Sequence, residues 1–242
     1  MYQKAITNRI LGTQYARKSY SQYGEDMILR AIFTRFPGTY RGCYIDVGAH
    51  HPKRFSNTYF FYQLGWQGLC VDPRPDIKEI FLRRRPRDIF INAGISDHDG
   101  HMTYYMYEEA ALNTFSRELS VKYTEKGVNC IREVDIAVYK LSTVLDRYLS
   151  LESVVNFLSI DTEGFEYQVV TSNNFAKYRP QVIMLEVNDI NELSDIDALD
   201  VHRFLLSCQY RPIAWTPNEL YYVDLESQSY DGGVYLNELQ VH

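Results

Sequence analysis

Short apolar runs that stop abruptly at an acid recur along this chain and set its plan. Residues 42–47 read Gly-Cys-Tyr-Ile-Asp-Val and give way to Gly48-Ala49-His50-His51, which predicts a strand, a sharp turn and a helix start. Ser56 or Asn57 is placed to cap that helix and Gly65 to stop it. Gly68-Leu-Cys-Val-Asp72-Pro73 repeats the pattern, with a helix expected over 75–85. A third strand spans 88–92 and ends in Ala93-Gly94, and Asp97-His-Asp-Gly-His101 then turns into an alternating stretch at 102–107. Further on come a short strand at 135–139 and a helix from Ser142 carrying Val144, Leu145, Tyr148 and Leu149. The run 154–160, Val-Val-Asn-Phe-Leu-Ser-Ile, is the strongest strand signal and closes on Asp161-Thr-Glu163-Gly164, with a helix beginning behind it at 165–170. Another buried strand, 180–185, again ends in an acid, Glu186. A helix over 198–208 and alternating stretches at 211–216 and 220–224 predict antiparallel strands that finish a mixed sheet. The alternation of strands and helices predicts an α/β fold built on a parallel sheet.

Ahead of the sheet, Ser21 precedes Gly24-Glu25-Asp26 and an apolar stripe of Met27, Ile28, Ala31, Ile32 and Phe33, which Pro37-Gly38 ends. This is an amphipathic helix, capped by Ser21 with acids in its first turn. Residues 1–38 therefore form an N-terminal helical extension and 39–242 the main domain. Residues 108–133 show no clear period. They read either as a lid or acceptor-binding segment, or as disorder.

Composition narrows the function. At 242 residues with 45% hydrophobic content, the chain suits one large α/β domain. A formal charge of −6 argues against a general grip on nucleic acid. Arg83, Arg84, Arg85 and Arg87 are expected at a solvated helix end, an anionic acceptor or membrane surface being the other reading. Cys43, Cys70, Cys130 and Cys208 form no C-x-x-C pair and read as small reduced thiols. His98 and His101 sit in a turn signal without a nearby third ligand, so no metal pair is expected there. No apolar run approaches the ~20 residues of a membrane span, and the first ten residues lack a secretion signal. A cytoplasmic protein with no integral membrane segment is the expectation.

Four predicted strands end in carboxylates: Asp46, Asp72, Asp161 and Glu186. Open α/β sheets bind ligands outside the carboxyl ends of their strands. Crowding like charges there makes physical sense only with a cationic ligand, a metal or many hydrogen-bond donors. Asp72 suits a ribose diol, an N-cap before Pro73 being its alternative role. Asp46 with Gly48 either lets backbone approach the ligand or makes a tight capped turn. No G-x-G-x-x-G is present, so a nicotinamide cofactor with its pyrophosphate on a glycine loop is disfavoured. S-adenosylmethionine, with a ribose, an adenine and a sulfonium, fits these features.

The segments YIDVGAHHPKRFSNT, GWQGLCVDP, INAGISDHDG, FLSIDTEGFEYQVV and RPQVIMLE resemble, in order and spacing, the motifs of FkbM-type methyltransferases. SQYGED is similar to the lead-in of one branch, and the resemblance covers about residues 19–190. It implies a Rossmann-like class I methyltransferase fold: a mostly parallel seven-stranded sheet with helices on both faces and S-adenosylmethionine at its carboxyl edge. The implied reaction is O-methylation of a hydroxyl on a sugar, glycan or natural product. Carried over by position, Asp46, Gly48 and Ala49 line the methionine end, Asp72 binds the ribose and Asn92-Ala93 border the adenine. Asn57 and Asp161 join the cofactor-binding set, and Asp161-Thr-Glu163-Gly164 faces the reacting methyl. Two departures stand out: His50 replaces the asparagine commoner in the family, and Asp72 stands where glutamate is usual.

Methyl transfer needs in-line approach of the acceptor oxygen and a base for its proton. Asp161, Glu163 and His50 are the catalytic candidates, with His51 beside them. Asp161 with Glu186 can alternatively ligate Mg²⁺, which would lower the acceptor hydroxyl's pKa. A nicotinamide-dependent Rossmann oxidoreductase and a non-catalytic nucleoside-binding module remain the other classes. The partner expected is a small-molecule or glycan acceptor. Tyr104, Tyr105, Tyr107 and Tyr123 offer faces for sugar stacking, core packing or a homo-oligomer interface.

Overall fold

The computed structural model describes residues 16–33, 36, 38–150, 152–188 and 190–226; the first fifteen residues of the expected extension lie outside the described residues. Chain order runs α1 (Glu25–Phe33), β1 (Cys43–Val47), α2 (Tyr59–Gln63), β2 (Gln67–Val71), α3 (Lys78–Arg84), β3 (Ile89–Ile91) and β4 (Gly94–Ile95). Then come β5 (Gly100–Met106), α4 (Arg117–Glu125), β6 (Arg132–Tyr139), α5 (Leu141–Tyr148) and β7 (Phe157–Ile160). The chain closes with α6 (Glu166–Thr171), β8 (Val182–Glu186), α7 (Asp200–Ser207), β9 (Tyr210–Trp215) and β10 (Glu219–Asp224).

The main sheet has seven strands in the order β3-β2-β1-β7-β8-β10-β9. Its first five are parallel and β10 runs antiparallel to both neighbours, as the sequence pattern predicts. Strand order reverses between β1 and β7, the switch point where open sheets form a crevice. Alternate side chains divide the core into two layers. Ile45, Val47, Leu69, Val71, Leu158 and Ile160 face α5, α6 and α7, which bring Leu141, Leu145, Val169, Val170, Val201 and Leu205. Tyr44, Cys70, Phe157 and Met184 face the other way, onto Leu29 and Phe33 of α1, Phe61 of α2 and Phe81 of α3. Helices therefore cover both faces. β4 joins the two stretches after Asp99, β5 and β6, in a separate three-stranded sheet of order β4-β6-β5.

The described part of the expected extension is packed onto the sheet. Ser21 Oγ accepts the Asp26 backbone N–H at 2.9 Å, the cap its position predicts. Phe33 lies edge-on to Phe61 and Trp66. The Ser56 N–H donates to the Tyr20 carbonyl, so the lead-in also braces the loop after β1. Among the described residues no helix is long and apolar enough to cross a membrane.

One arginine of the basic cluster departs from expectation. Arg83 and Arg84 are exposed at the end of α3, but Arg85 is only 1% exposed. Its Nε donates to Asp88 at 2.6 Å, and its other nitrogens reach the Tyr44 hydroxyl at 2.8 Å and Thr58 Oγ1 at 2.9 Å. Thr58 in turn donates to Asp46 at 2.6 Å. Two carboxylates inside the fold draw the guanidinium in, because a buried charge persists only when paired and hydrogen-bonded.

Candidate active site

Where β1 ends, the chain bends so sharply that the Val71 carbonyl accepts both the Gly48 and Ala49 N–H groups, at 2.9 and 3.1 Å. Gly48 has φ +80°, and a Cβ there would overlap the Asp161 carbonyl, so only glycine allows β1 and β7 to end side by side. Beyond this bend lies a cavity of about 360 Å³ across the carboxyl ends of the strands. Gly48, His50, Asp72, Ala93, Asp161, Glu163 and Glu186 all line it, so much of the expected set is brought together.

Asp46, Ala49, Asn57 and Asn92 are set back from that wall. Asp46 lies one residue inside β1, where alternation turns it onto the sheet face toward Thr58 and Arg85. Ala49 is buried with its N–H already used. Asn57 donates to Ser159 Oγ at 3.3 Å and lines a smaller cavity behind the first. Asn92 is exposed and donates to the carbonyls of Asp72 and Arg74, fixing the turn after β2.

Asp72 accepts the backbone N–H groups of His50 and Arg74, each at 2.8 Å. Burial nonetheless outweighs those bonds and pushes its carboxyl up to about 6. His50 adopts φ +48° and its Nε2 lies 3.0 Å from an Arg54 nitrogen. Burial, then the Arg74 and Arg54 charges, hold this imidazole down at about 4, so it is neutral and weakly basic near neutrality. His51 Nδ1 accepts the N–H groups of Lys53 and Arg54 and shapes the loop.

Across the cavity, single carboxylate oxygens of Asp161, Glu163 and Glu186 lie within 4.8 Å of one another. Burial and then Glu163 raise Asp161 well above the usual range; burial and then Asp161 do the same to Glu186. Glu163 is raised to about 7, by burial and then Glu166. It also sits at φ +51°, an unusual conformation for a non-glycine residue. Thr114 Oγ1 holds its carbonyl at 2.7 Å and the Tyr123 hydroxyl reaches its Oε2 at 3.3 Å. Glu166 accepts the Thr162 and Gly164 N–H groups and so shapes the turn beneath.

Two contributors lie outside the expected site residues, the first in the segment read either as a lid or acceptor-binding segment or as disorder. Residues 108–116 form a strap over the cavity, with a 3₁₀ turn at Ala110–Leu112 and a bridge between Tyr105 and Thr114. Ala110, Asn113 and Phe115 from this strap line the cavity, and α4 follows, capped by Ser116 Oγ accepting the Leu119 N–H. The segment left open between lid and disorder is thus ordered wall. Arg54 clasps the strap through Glu109 by two bonds of 3.1 and 3.2 Å. The second is Glu219, buried on β10 opposite Glu186. Among the tyrosines, Tyr104 and Tyr107 are buried, the former in a small core with Phe115, while Tyr123 reaches the acid cluster.

The sheet order, its antiparallel finish and the crevice at its switch point are those of a class I methyltransferase fold. Residues 46–212 match the family described as Methyltransferase FkbM domain, and the chain belongs to that family. A crystal structure of methyltransferase FkbM from Methylobacillus flagellatus shares the fold at TM-score 0.51 and 14% identity over 84% of this chain. The match covers 48% of that protein, so this chain spans about half its length. Burkholderia thailandensis 1,6-didemethyltoxoflavin-N1-methyltransferase, solved with 1,6-didemethyltoxoflavin and S-adenosylhomocysteine, matches at TM-score 0.44 and 10% identity, over 92% of this chain and 86% of its own. Aeropyrum pernix fibrillarin with bound S-adenosyl-L-methionine matches at TM-score 0.42 and 11% identity, over 86% and 83%. At those scores neither bears on the chemistry of this chain. No curated protein matches it.

Proposed function

We propose that this chain is an S-adenosylmethionine-dependent O-methyltransferase acting on a hydroxyl of a sugar, glycan or natural product. The observation that carries the reading is one cavity joining Asp72, after β2, to the cluster of Asp161 and Glu163, after β7, with Glu186, at the end of β8. Asp72 would hold the two ribose hydroxyls and the backbone at Gly48 would leave room for the methionine portion. Ala93 and the strap residues Ala110, Asn113 and Phe115 enclose the nucleoside. Asp161, Glu163 and Glu186 would favour the positive charge of the sulfonium.

In this arrangement the acceptor oxygen approaches the methyl carbon in line with the departing sulfur. Bound there, S-adenosylmethionine would supply the methyl group, its sulfur keeping the C–S electrons as the acceptor's C–O bond forms and S-adenosylhomocysteine is left. The hydroxyl proton passes to the Asp161–Glu163 carboxylate pair. His50 is a scaffold in this scheme, because its ring is engaged by Arg54 and its basicity is low.

Calorimetry tests the cofactor assignment. Asp72→Asn is expected to weaken S-adenosylmethionine binding about tenfold or more, since bonds to a charged acceptor contribute about 1.5–3 kcal/mol. Wild-type affinity is also expected to fall as pH drops through about 6. The sign follows from linkage: ribose hydroxyls favour ionised Asp72, so binding expels its proton below that pH and costs more there. Asp72→Asn is expected to lose this pH dependence. Unaltered affinity, or stabilisation by NAD instead, contradicts the reading.

A further inference from the structure

Glu186 and Glu219 stand directly opposite each other in the β8–β10 ladder. Opposed residues of an antiparallel pair project to the same face, where like charges repel. The next two pairs of this ladder, Leu185 with Leu220 and Met184 with Tyr221, show what a purely structural choice would be. Glu219 is only 5% exposed, and Oε2 of both glutamates is buried without a hydrogen-bond partner. Unpartnered buried carboxylate oxygens are costly and call for a ligand.

Glu186 and Glu219 line a cavity of about 20 Å³ together with Glu25 and Asp161, with Asn57 and Asn218 completing its polar wall. That volume accommodates one water-sized species. Neither lysine nor arginine lines it. Oxygens of Asp161, Glu163 and Glu186 within 4.8 Å of one another match what one cation spans with bonds of about 2.0–2.6 Å. The donors are all carboxylate oxygens, which selects a hard ion over zinc.

We propose that Asp161, Glu163 and Glu186 bind one divalent metal ion, Mg²⁺ or Mn²⁺, with Glu219 adding negative charge behind Glu186. The site extends the sequence-based pairing of Asp161 with Glu186 by two residues, one of them invisible without the register. It goes beyond methyl transfer, concerns a state of the site that excludes proton acceptance by Asp161 and Glu163, and stands whether or not S-adenosylmethionine is the cofactor. A metal held there would sit in the large cavity, which all three ligands line, on the side where Asp161 and Glu186 also border the small one.

The test uses the whole chain, stripped with chelator and titrated with MnCl₂ alone while free Mn²⁺ is followed by electron paramagnetic resonance. One Mn²⁺ per chain is expected, displaced by Mg²⁺. Glu186→Gln and Glu163→Gln are each expected to weaken binding about tenfold or more, and Glu219→Gln by less. These amide changes remove like-charge repulsion, so circular dichroism should show the fold kept and metal-free melting at or above that of wild type. No Mn²⁺ bound at millimolar concentration, or binding unchanged in both Glu186→Gln and Glu163→Gln, overturns the proposal. Because no cofactor is present, failure of the methyl-transfer reading leaves this result unaffected.

Discussion

Replacing Arg85 with methionine is expected to lower folding stability by about 3–5 kcal/mol, the usual cost of removing one partner from a buried ion pair. For a chain of this size that corresponds to a melting temperature lower by roughly 10 °C. Arg85 tethers one strand of the sheet to two of the loops beside it. It binds Asp88 ahead of β3, Tyr44 on β1 and Thr58 before α2, and Thr58 carries the contact on to Asp46. Without it, Asp88 keeps the Tyr44 hydroxyl and the Gly68 N–H, at 2.8 and 3.0 Å, but has lost its counter-charge. Arg85→Lys is expected to fall between, because one ammonium cannot reproduce the fork that reaches several oxygens at once. Denaturant unfolding measures both; a methionine variant within about 1 kcal/mol of wild type rejects this account.

Asp161→Asn is expected to fold, bind cofactor and lose transfer by about 100-fold or more, the range for removing a positioned acid or base. Its backbone is held independently of its side chain, through the bond from its N–H to the Val47 carbonyl at 3.0 Å. The carboxylate is crowded by Glu163, Glu166 and Asp46, so an amide of equal size relieves repulsion. Loss of turnover without loss of melting temperature is the diagnostic combination. S-adenosylhomocysteine formed with a panel of sugar-hydroxyl acceptors is the readout, and turnover within tenfold of wild type removes Asp161 from the reaction.

The parallel strands were legible because strands buried on both faces read as continuous apolar runs, and their acid ends mark the carboxyl edge. Asp72, Asp161 and Glu186 consequently fall where the pattern puts them. Asp46 was harder to place: it precedes the last strand residue, Val47, so its side chain leaves the sheet from a face rather than off the end. Asp88 lies three residues beyond Arg85 and four beyond Arg84, so the local sequence does not single out Arg85; the distant Tyr44, Asp46 and Thr58 complete the pocket into which it turns. Glu219 is silent for the same reason, since the register that opposes it to Glu186 is a property of two strands. The strap has no period because its order comes from isolated paired contacts, such as Tyr105 with Thr114 and Arg54 with Glu109.

The junction of β1 with β7 also bears on how the molecule is made. Cys43 and Asn156, bonded across it, are 113 residues apart in the chain. Closing such a long loop costs entropy before its contacts repay it, so pairings of this kind make folding slow. Gly48 and Asp161 meet at the same junction, and neither half of the chain can enclose the cavity alone. A ribosome emitting residues one by one therefore delivers a competent binding site only after Asp161 has emerged and found β1.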